Sequence, residues 1–146
     1  MIFLHPVGHD DGDLFRDSSY GLMPADDMHQ MISEAISGKH DGSYFRLFAV
    51  MDDQCCVGFV SLYGQGDGQI SCGPEIKPQY RRRGIAVQAV TQAMEYAKRN
   101  GFIKAVAQVR KDNCASVALH KKLRFLLCKE YKNRKGNLVL WFEKEL

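Results

Sequence analysis

The stretch Pro78-Gln79-Tyr80-Arg81-Arg82-Arg83-Gly84-Ile85-Ala86 is a basic, glycine-containing turn between two periodic segments. Before it, Ile70 to Lys77 has the short apolar character of a strand. After it, Ala86, Ala89, Val90, Ala93, Met94 and Ala97 recur at helical spacing, with Gln88, Gln92, Glu95 and Lys98 on the opposite side. The first N–H groups of a helix have no internal acceptor, and the helix dipole places partial positive charge there. A phosphate is the natural occupant of such a turn. Gly84 lets a ligand approach the backbone, and Ala86 keeps the next contact small. The spaced glycines of a dinucleotide fingerprint are absent, as is the Gly-Lys-Ser/Thr ending of a P-loop. Taken alone, the stretch is either an anion-binding turn or three solvated arginines.

Working outward, Asn100-Gly101 stops the helix, and Phe102 to Val109 is almost continuously apolar, as in a buried strand. Asp112 and Asn113 then cap a helix running to about Leu123. Two strand-like runs follow, Leu126 to Lys132 and Asn137 to Glu143, as a hairpin around Asn133-Arg134-Lys135-Gly136. On the N-terminal side, Phe3 to Val7 reads as a short strand and Asp10 to Asp17 as a polar turn. A helix starts near Pro24 and ends at Gly38. Phe45 to Met51 and Cys55 to Tyr63 read as a hairpin. Within Ile70 to Lys77, the Gly73-Pro74 pair predicts a bulge or break, because proline has no N–H to donate. The fold class is α/β of the α+β type: one domain over residues 1–146, with a mixed, largely antiparallel sheet flanked by helices.

The segment Asn113-Cys114-Ala115-Ser116-Val117-Ala118-Leu119-His120-Lys121-Lys122-Leu123-Arg124-Phe125 carries a second pattern. Together with Arg81, Gly84 and Ala86, its residues Asn113, Ser116, Leu119, Leu123 and Phe125 resemble the paired motifs of the GNAT superfamily of acyl-CoA-dependent N-acetyltransferases. The resemblance covers Ile70 to Phe125. It implies that Arg82, Arg83, Gly84, Ile85 and Ala86 offer backbone N–H groups to the CoA pyrophosphate, with Arg81 opening the motif. It implies further that the pantetheine arm lies along the strand ending at Ile76, and that Asn113 and Ser116 border that arm. Pro74 offers no N–H there, so the donor that polarises the thioester carbonyl falls to Glu75 or Ile76. His120 stands where the family usually has a tyrosine acid. A neutral imidazole has one N–H to give the leaving thiolate, and imidazolium is a stronger acid than a thiol. Arg124 replaces the usual glycine before Phe125.

Acetyl transfer to an amine also calls for a neutral attacking nitrogen. Glu75 is the leading candidate base; the alternative is a surface pairing with Lys77. Family members that acetylate a ribosomal N-terminus carry a Glu in the strand before the Asn. Gln108 stands there and cannot take a proton. The reading is an N-acetyltransferase moving acetyl from acetyl-CoA directly to a primary amine of a small molecule, peptide or protein. A non-catalytic acyl-CoA-binding sensor is the alternative. A covalent route through Cys72 or Cys114 lacks an adjacent base. Cys114, at a helix start beside Asn113, is expected to lie next to the thioester arm.

Composition fits this reading. The chain has 146 residues, 45% hydrophobic and 25% charged, enough for one ordinary core. A net charge of +3 implies neither a nucleic-acid nor a membrane partner, and homodimerisation stays open. The five cysteines are an odd number without a Cys-x-x-Cys pair, which suits free thiols in the cytoplasm. No Cys/His spacing suits a metal. His5 and His9 with Asp10, Asp11 and Asp13 read as a polar loop.

Overall fold

The computed structural model describes residues 1–146. Eight strands and three helices follow one another as β1 (Ile2–Pro6), α1 (Ala25–Ser37), β2 (Lys39–His40), β3 (Ser43–Asp52), β4 (Cys55–Gly66), β5 (Gln69–Ile76), α2 (Ile85–Arg99), β6 (Lys104–Arg110), α3 (Cys114–Lys122), β7 (Leu126–Lys132) and β8 (Leu138–Glu145). Short 3₁₀ turns occupy Gly12–Phe15, Ser19–Leu22 and Pro78–Tyr80. The sheet runs in the order β1-β3-β4-β5-β6-β8-β7, with β2 on β3. Only β5 and β6 are parallel; the other pairs are antiparallel. This is the mixed, largely antiparallel architecture expected from the sequence.

Alternation along the strands divides the core between the two faces. Phe48, Val50, Val60, Leu62 and Ile70 pack against Ala89, Val90, Ala93 and Ala97 of α2. Phe45, Leu47, Ala49 and Phe59 pack against Ile32 and Ala35 of α1 and against Phe15. Gly38 ends α1 with φ of 84°, a left-handed conformation that a side chain would disfavour.

The feature that creates the site is the parting of β5 from β6. Their pairing covers Gln69, Ile70 and Ser71 and stops there. On its other edge β5 stays paired to β4 as far as Ile76. The expected bulge at Gly73-Pro74 is absent: Ser61↔Gly73 and Val60↔Pro74 continue the register without a shift. The reason lies in backbone alternation. Lys77 donates its N–H to Val57 O at 2.8 Å, so the N–H groups of Glu75 and Gly73 also face β4. The Pro74 nitrogen faces the open side, where no strand needs its hydrogen. The irregularities fall instead at Val50/Met51, Gly64/Gly66 and Leu127/Lys129.

Candidate active site

The opening between β5 and β6 holds two adjoining clefts. The outer one has a volume of ≈ 740 Å³ and is bounded by Ile76, Arg81, Arg82, Gly84, Ala86, Asn113 and Ser116, among others. That is within the range of about 300–1,000 Å³ usual for cofactor sites. The inner one is bounded by Ser61, Tyr63, Gln65, Ser71, Cys72, Gly73, Gln108 and His120, among others. Pro74 and Ser116 border both, so the two adjoin there.

The outer cleft is built on the start of α2. Gly84 is the N-cap, with φ of 74°, and no side chain caps this end. The first helical bond is Gln88 N–H to Gly84 O. The preceding N–H groups of Gly84, Ile85, Ala86 and Val87 donate to nothing in the chain. A Cβ added at Gly84 would meet no atom within 4 Å, so open space lies directly over the turn. Arg82 also has positive φ, 65°, which curls the turn further. Arg81 is structural: its Nε donates to Ile76 O at 2.8 Å and ties the turn to the end of β5. The Arg83 side chain takes a different direction from those of Arg81 and Arg82. Its guanidinium lies 5.9 Å from the Tyr80 ring, and the residue borders a separate depression with Met1, Asp52 and Asp53. Arg81 and Arg82 stay beside the cleft while Arg83 turns away.

Across the cleft, Asn113 caps α3 by accepting the Ser116 N–H at 3.2 Å. Its side-chain carbonyl is thereby occupied and its NH2 group stays available. Cys114 is exposed and does not border the cleft, although Asn113, Ala115 and Ser116 do. The expected place of Cys114 beside the thioester arm is therefore not found: the first turn of the helix points its thiol elsewhere.

His120 is buried, 7% exposed, at the inner cleft. Phe142 stacks on its ring at 5.6 Å and Phe125 meets it edge-on at 5.0 Å. Its Nδ1 lies 2.7 Å from Ser116 O. A carbonyl only accepts, so Nδ1 carries the proton and Nε2 of the neutral ring is a lone pair. Of the two donors considered, this removes the neutral imidazole, whose one N–H is already engaged, and leaves imidazolium Nε2–H. Nε2 has no partner in the chain, yet it is not a buried, unpaired atom; Tyr44 Oη is the one of that kind. Arg124, at φ of 65°, fills the left-handed position where the family has glycine, and Phe125 N–H closes the helix onto His120 O at 3.0 Å.

Glu75 does not pair with Lys77. Ser19 donates to Glu75 through both its N–H, at 2.8 Å to Oε2, and its hydroxyl, to Oε1. Lys77 is buried and donates to Leu14 O at 2.8 Å. Gln108 accepts from the Tyr131 hydroxyl at 2.9 Å. Burial pushes the Cys72 thiol up to about 12, which removes its nucleophilic form at neutral pH. Tyr20, which sequence reasoning left without a role, sits beside Ser61, a residue that lines the inner cleft. Burial and the nearby Tyr63 and Glu75 raise its hydroxyl to about 12. Nothing in its local sequence signals that position. No group of three or more His, Cys, Asp or Glu residues is placed to hold a metal; His5 and Asp11 meet at 3.0 Å only as a pair.

Among solved structures, the spermidine N-acetyltransferase from Vibrio cholerae in complex with CoA and spermine is 17% identical, with a TM-score of 0.79 over 99% of this chain and 95% of that one. A ribosomal-protein-alanine N-acetyltransferase from Brucella melitensis is also 17% identical, with a TM-score of 0.77 over 99% of each chain. A ribosomal L7/L12 alpha-N-protein acetyltransferase in complex with coenzyme A reaches a TM-score of 0.84 at 14% identity, over 99% of this chain and 94% of that one. At these identities the likeness is one of fold. No curated protein matches in sequence. The model of the acetyltransferase (GNAT) family matches residues 13–125, which span the splayed strands, the turn before α2 and the helix that carries His120. With the fold, the paired motifs and this match in agreement, the chain belongs to the GNAT family of acetyltransferases.

Proposed function

We propose that the protein transfers an acetyl group from acetyl-CoA directly to a primary amine. The observation that carries this reading is the row of free N–H groups from Gly84 to Val87, facing open space at the head of a cleft that leads to His120. Four donors without acceptors would be a defect in a closed structure; a pyrophosphate satisfies them. Acetyl-CoA supplies the activated thioester. Arg82 adds charge beside the turn, Ile76 lines the arm of the cleft, and Asn113 and Ser116 border its other wall. By ladder alternation the Ile76 N–H faces the open side of β5, as the Glu75 N–H does not. Ile76 is therefore the residue that polarises the thioester carbonyl.

His120 acts as base and then as acid. Nε2 takes the proton the amine loses as nitrogen attacks the acyl carbon. The resulting imidazolium returns that proton to the sulfur as the C–S bond breaks. The products are an amide and free CoA, and the ring ends as it began. Cys72 is too weakly ionised to form an acyl-enzyme.

The acceptor surroundings are neutral. No Asp, Glu, Lys or Arg borders the inner cleft, which offers Ser61, Gln65, Ser71 and Gln108. A peptide amine or a hydroxylated amine suits these dipoles better than a polyamine, whose second cation would find no carboxylate. Five free thiols accord with a cytoplasmic location. The experiment is a panel of primary amines with acetyl-CoA, monitored for free thiol. Release that depends on the amine supports transfer. Tight acetyl-CoA binding without release from any amine would leave the acyl-CoA sensor.

A further inference from the structure

Glu75 of β5 and Lys77, just past its end, reach across to the same segment of chain. Glu75 and Lys77 flank Ile76 and share the face of the sheet opposite α2. Lys77 Nζ donates to Leu14 O at 2.8 Å and lies 6.0 Å from the Phe59 ring centre. Ser19 donates to both oxygens of Glu75. Between Leu14 and Ser19 lies Phe15, wholly buried and stacked on Phe59 at 4.5 Å and 5°. Tyr20 follows Ser19 at once. Its ring meets Phe15 and Phe59 edge-on, and its hydroxyl sits beside Ser61, which lines the inner cleft. The segment is thus plugged at its centre and clipped on each side of the plug. The two clips flank Ile76, the last residue of β5, which lines the cofactor cleft.

We propose that Glu75 is a positioning residue. Its carboxylate holds Ser19, and through it Tyr20, behind Ser61 of the inner cleft, so that the clip supports the amine side from outside, and it does not receive the amine proton. Two features carry this. Both carboxylate oxygens are engaged by Ser19, and Glu75 borders the outer cleft but not the inner one that holds His120. The assignment of a kinetic role rests on the acetyl-transfer reading; the clip itself does not.

Glu75→Gln and Glu75→Ala separate the alternatives. Glutamine keeps an oxygen to accept the Ser19 N–H but cannot take a proton; alanine keeps neither. The readout independent of turnover is tryptic cleavage after Arg16, whose side chain is 76% exposed within the clipped segment. Cleavage there reports local opening. We expect Glu75→Ala to speed this cleavage by about tenfold or more and to raise the KM for the amine about as much, with kcat within roughly threefold. Glu75→Gln should stay near wild type in both. Ser19→Ala, a milder change, should speed cleavage by a smaller factor, and serves if Glu75→Ala does not fold. Glu75→Gln with wild-type proteolysis but a kcat lowered roughly 100-fold would make Glu75 a proton acceptor and overturn the proposal. Unchanged cleavage in folded Glu75→Ala, or in folded Ser19→Ala where Glu75→Ala does not fold, would overturn the clip. If wild type acetylates no amine, the transfer reading fails while the proteolysis still decides the clip.

Discussion

Gly84→Ala tests the cofactor cleft with a built-in control. The glycine has φ of 74°, where a Cβ costs roughly 1–2 kcal/mol. The new methyl meets no atom within 4 Å, so no steric clash adds to that cost. For a chain of this size, a loss of that order lowers Tm by about 3–6 °C. Gly101 and Gly136 have φ of 93° and 84°, and a Cβ at either also meets nothing within 4 Å. Gly101→Ala and Gly136→Ala should therefore show a similar Tm loss. They differ from Gly84→Ala in one respect: neither residue borders the outer cleft. The methyl at position 84 would stand where phosphate oxygens approach the free N–H groups. Displacing one charge-assisted hydrogen bond at about 1.5–3 kcal/mol predicts CoA binding weaker by roughly tenfold to 150-fold. Titration calorimetry with CoA on all three variants, each confirmed folded, measures this. If Gly84→Ala binds CoA as well as Gly101→Ala does, the pyrophosphate does not lie over this turn.

Other substitutions and probes test the remaining parts. His120→Phe keeps a ring between Phe125 and Phe142, so it should fold and bind acetyl-CoA normally while kcat falls by roughly 10²–10⁴-fold in single-turnover assays. Brief iodoacetamide treatment followed by mass spectrometry should label exposed Cys55, Cys114 and Cys128 but not Cys72, and saturating CoA should leave Cys114 labelling unchanged. The His40–Glu34 pair gives stability a pH signature. Its hydrogen bond raises His40 above its ordinary 6.5 and lowers Glu34 below its ordinary 4.5. The His40 contribution is complete below 6.5 and is lost as pH rises through the elevated value. The Glu34 contribution is complete above 4.5 and is lost as pH falls through the depressed one. The pair should therefore help most between these limits, and His40→Gln should flatten that part of a Tm-versus-pH curve.

The sequence carried the outer cleft well and the inner one poorly, for a physical reason. The turn before α2 and the cap at Asn113 are local devices, so the residues that make them are neighbours in the chain. Gly73-Pro74 misled because a missing N–H matters only where a partner strand needs it, and the strand edge is a tertiary property. The Glu75 clip joins residues 56 positions apart, and Lys77 reaches Leu14 across 63. No periodicity announces such meetings. The tautomer of His120 was equally out of reach. The sequence places a histidine on the helix, but only coordinates show Nδ1 turned to the carbonyl of the previous turn.

Because β8 lies between β6 and β7, the strand synthesised after the other seven completes the reaction side of the cleft. Phe142 stacks on His120, and Lys144 Nζ donates to Leu123 O at 2.8 Å just past the end of α3. A nascent chain that has emerged only through Arg99 already possesses β1 to β5 and α2, and with them the anion cradle. It still lacks the histidine and the aromatic shelf beneath it. Ligand capture and turnover would thus become available at different moments of biosynthesis.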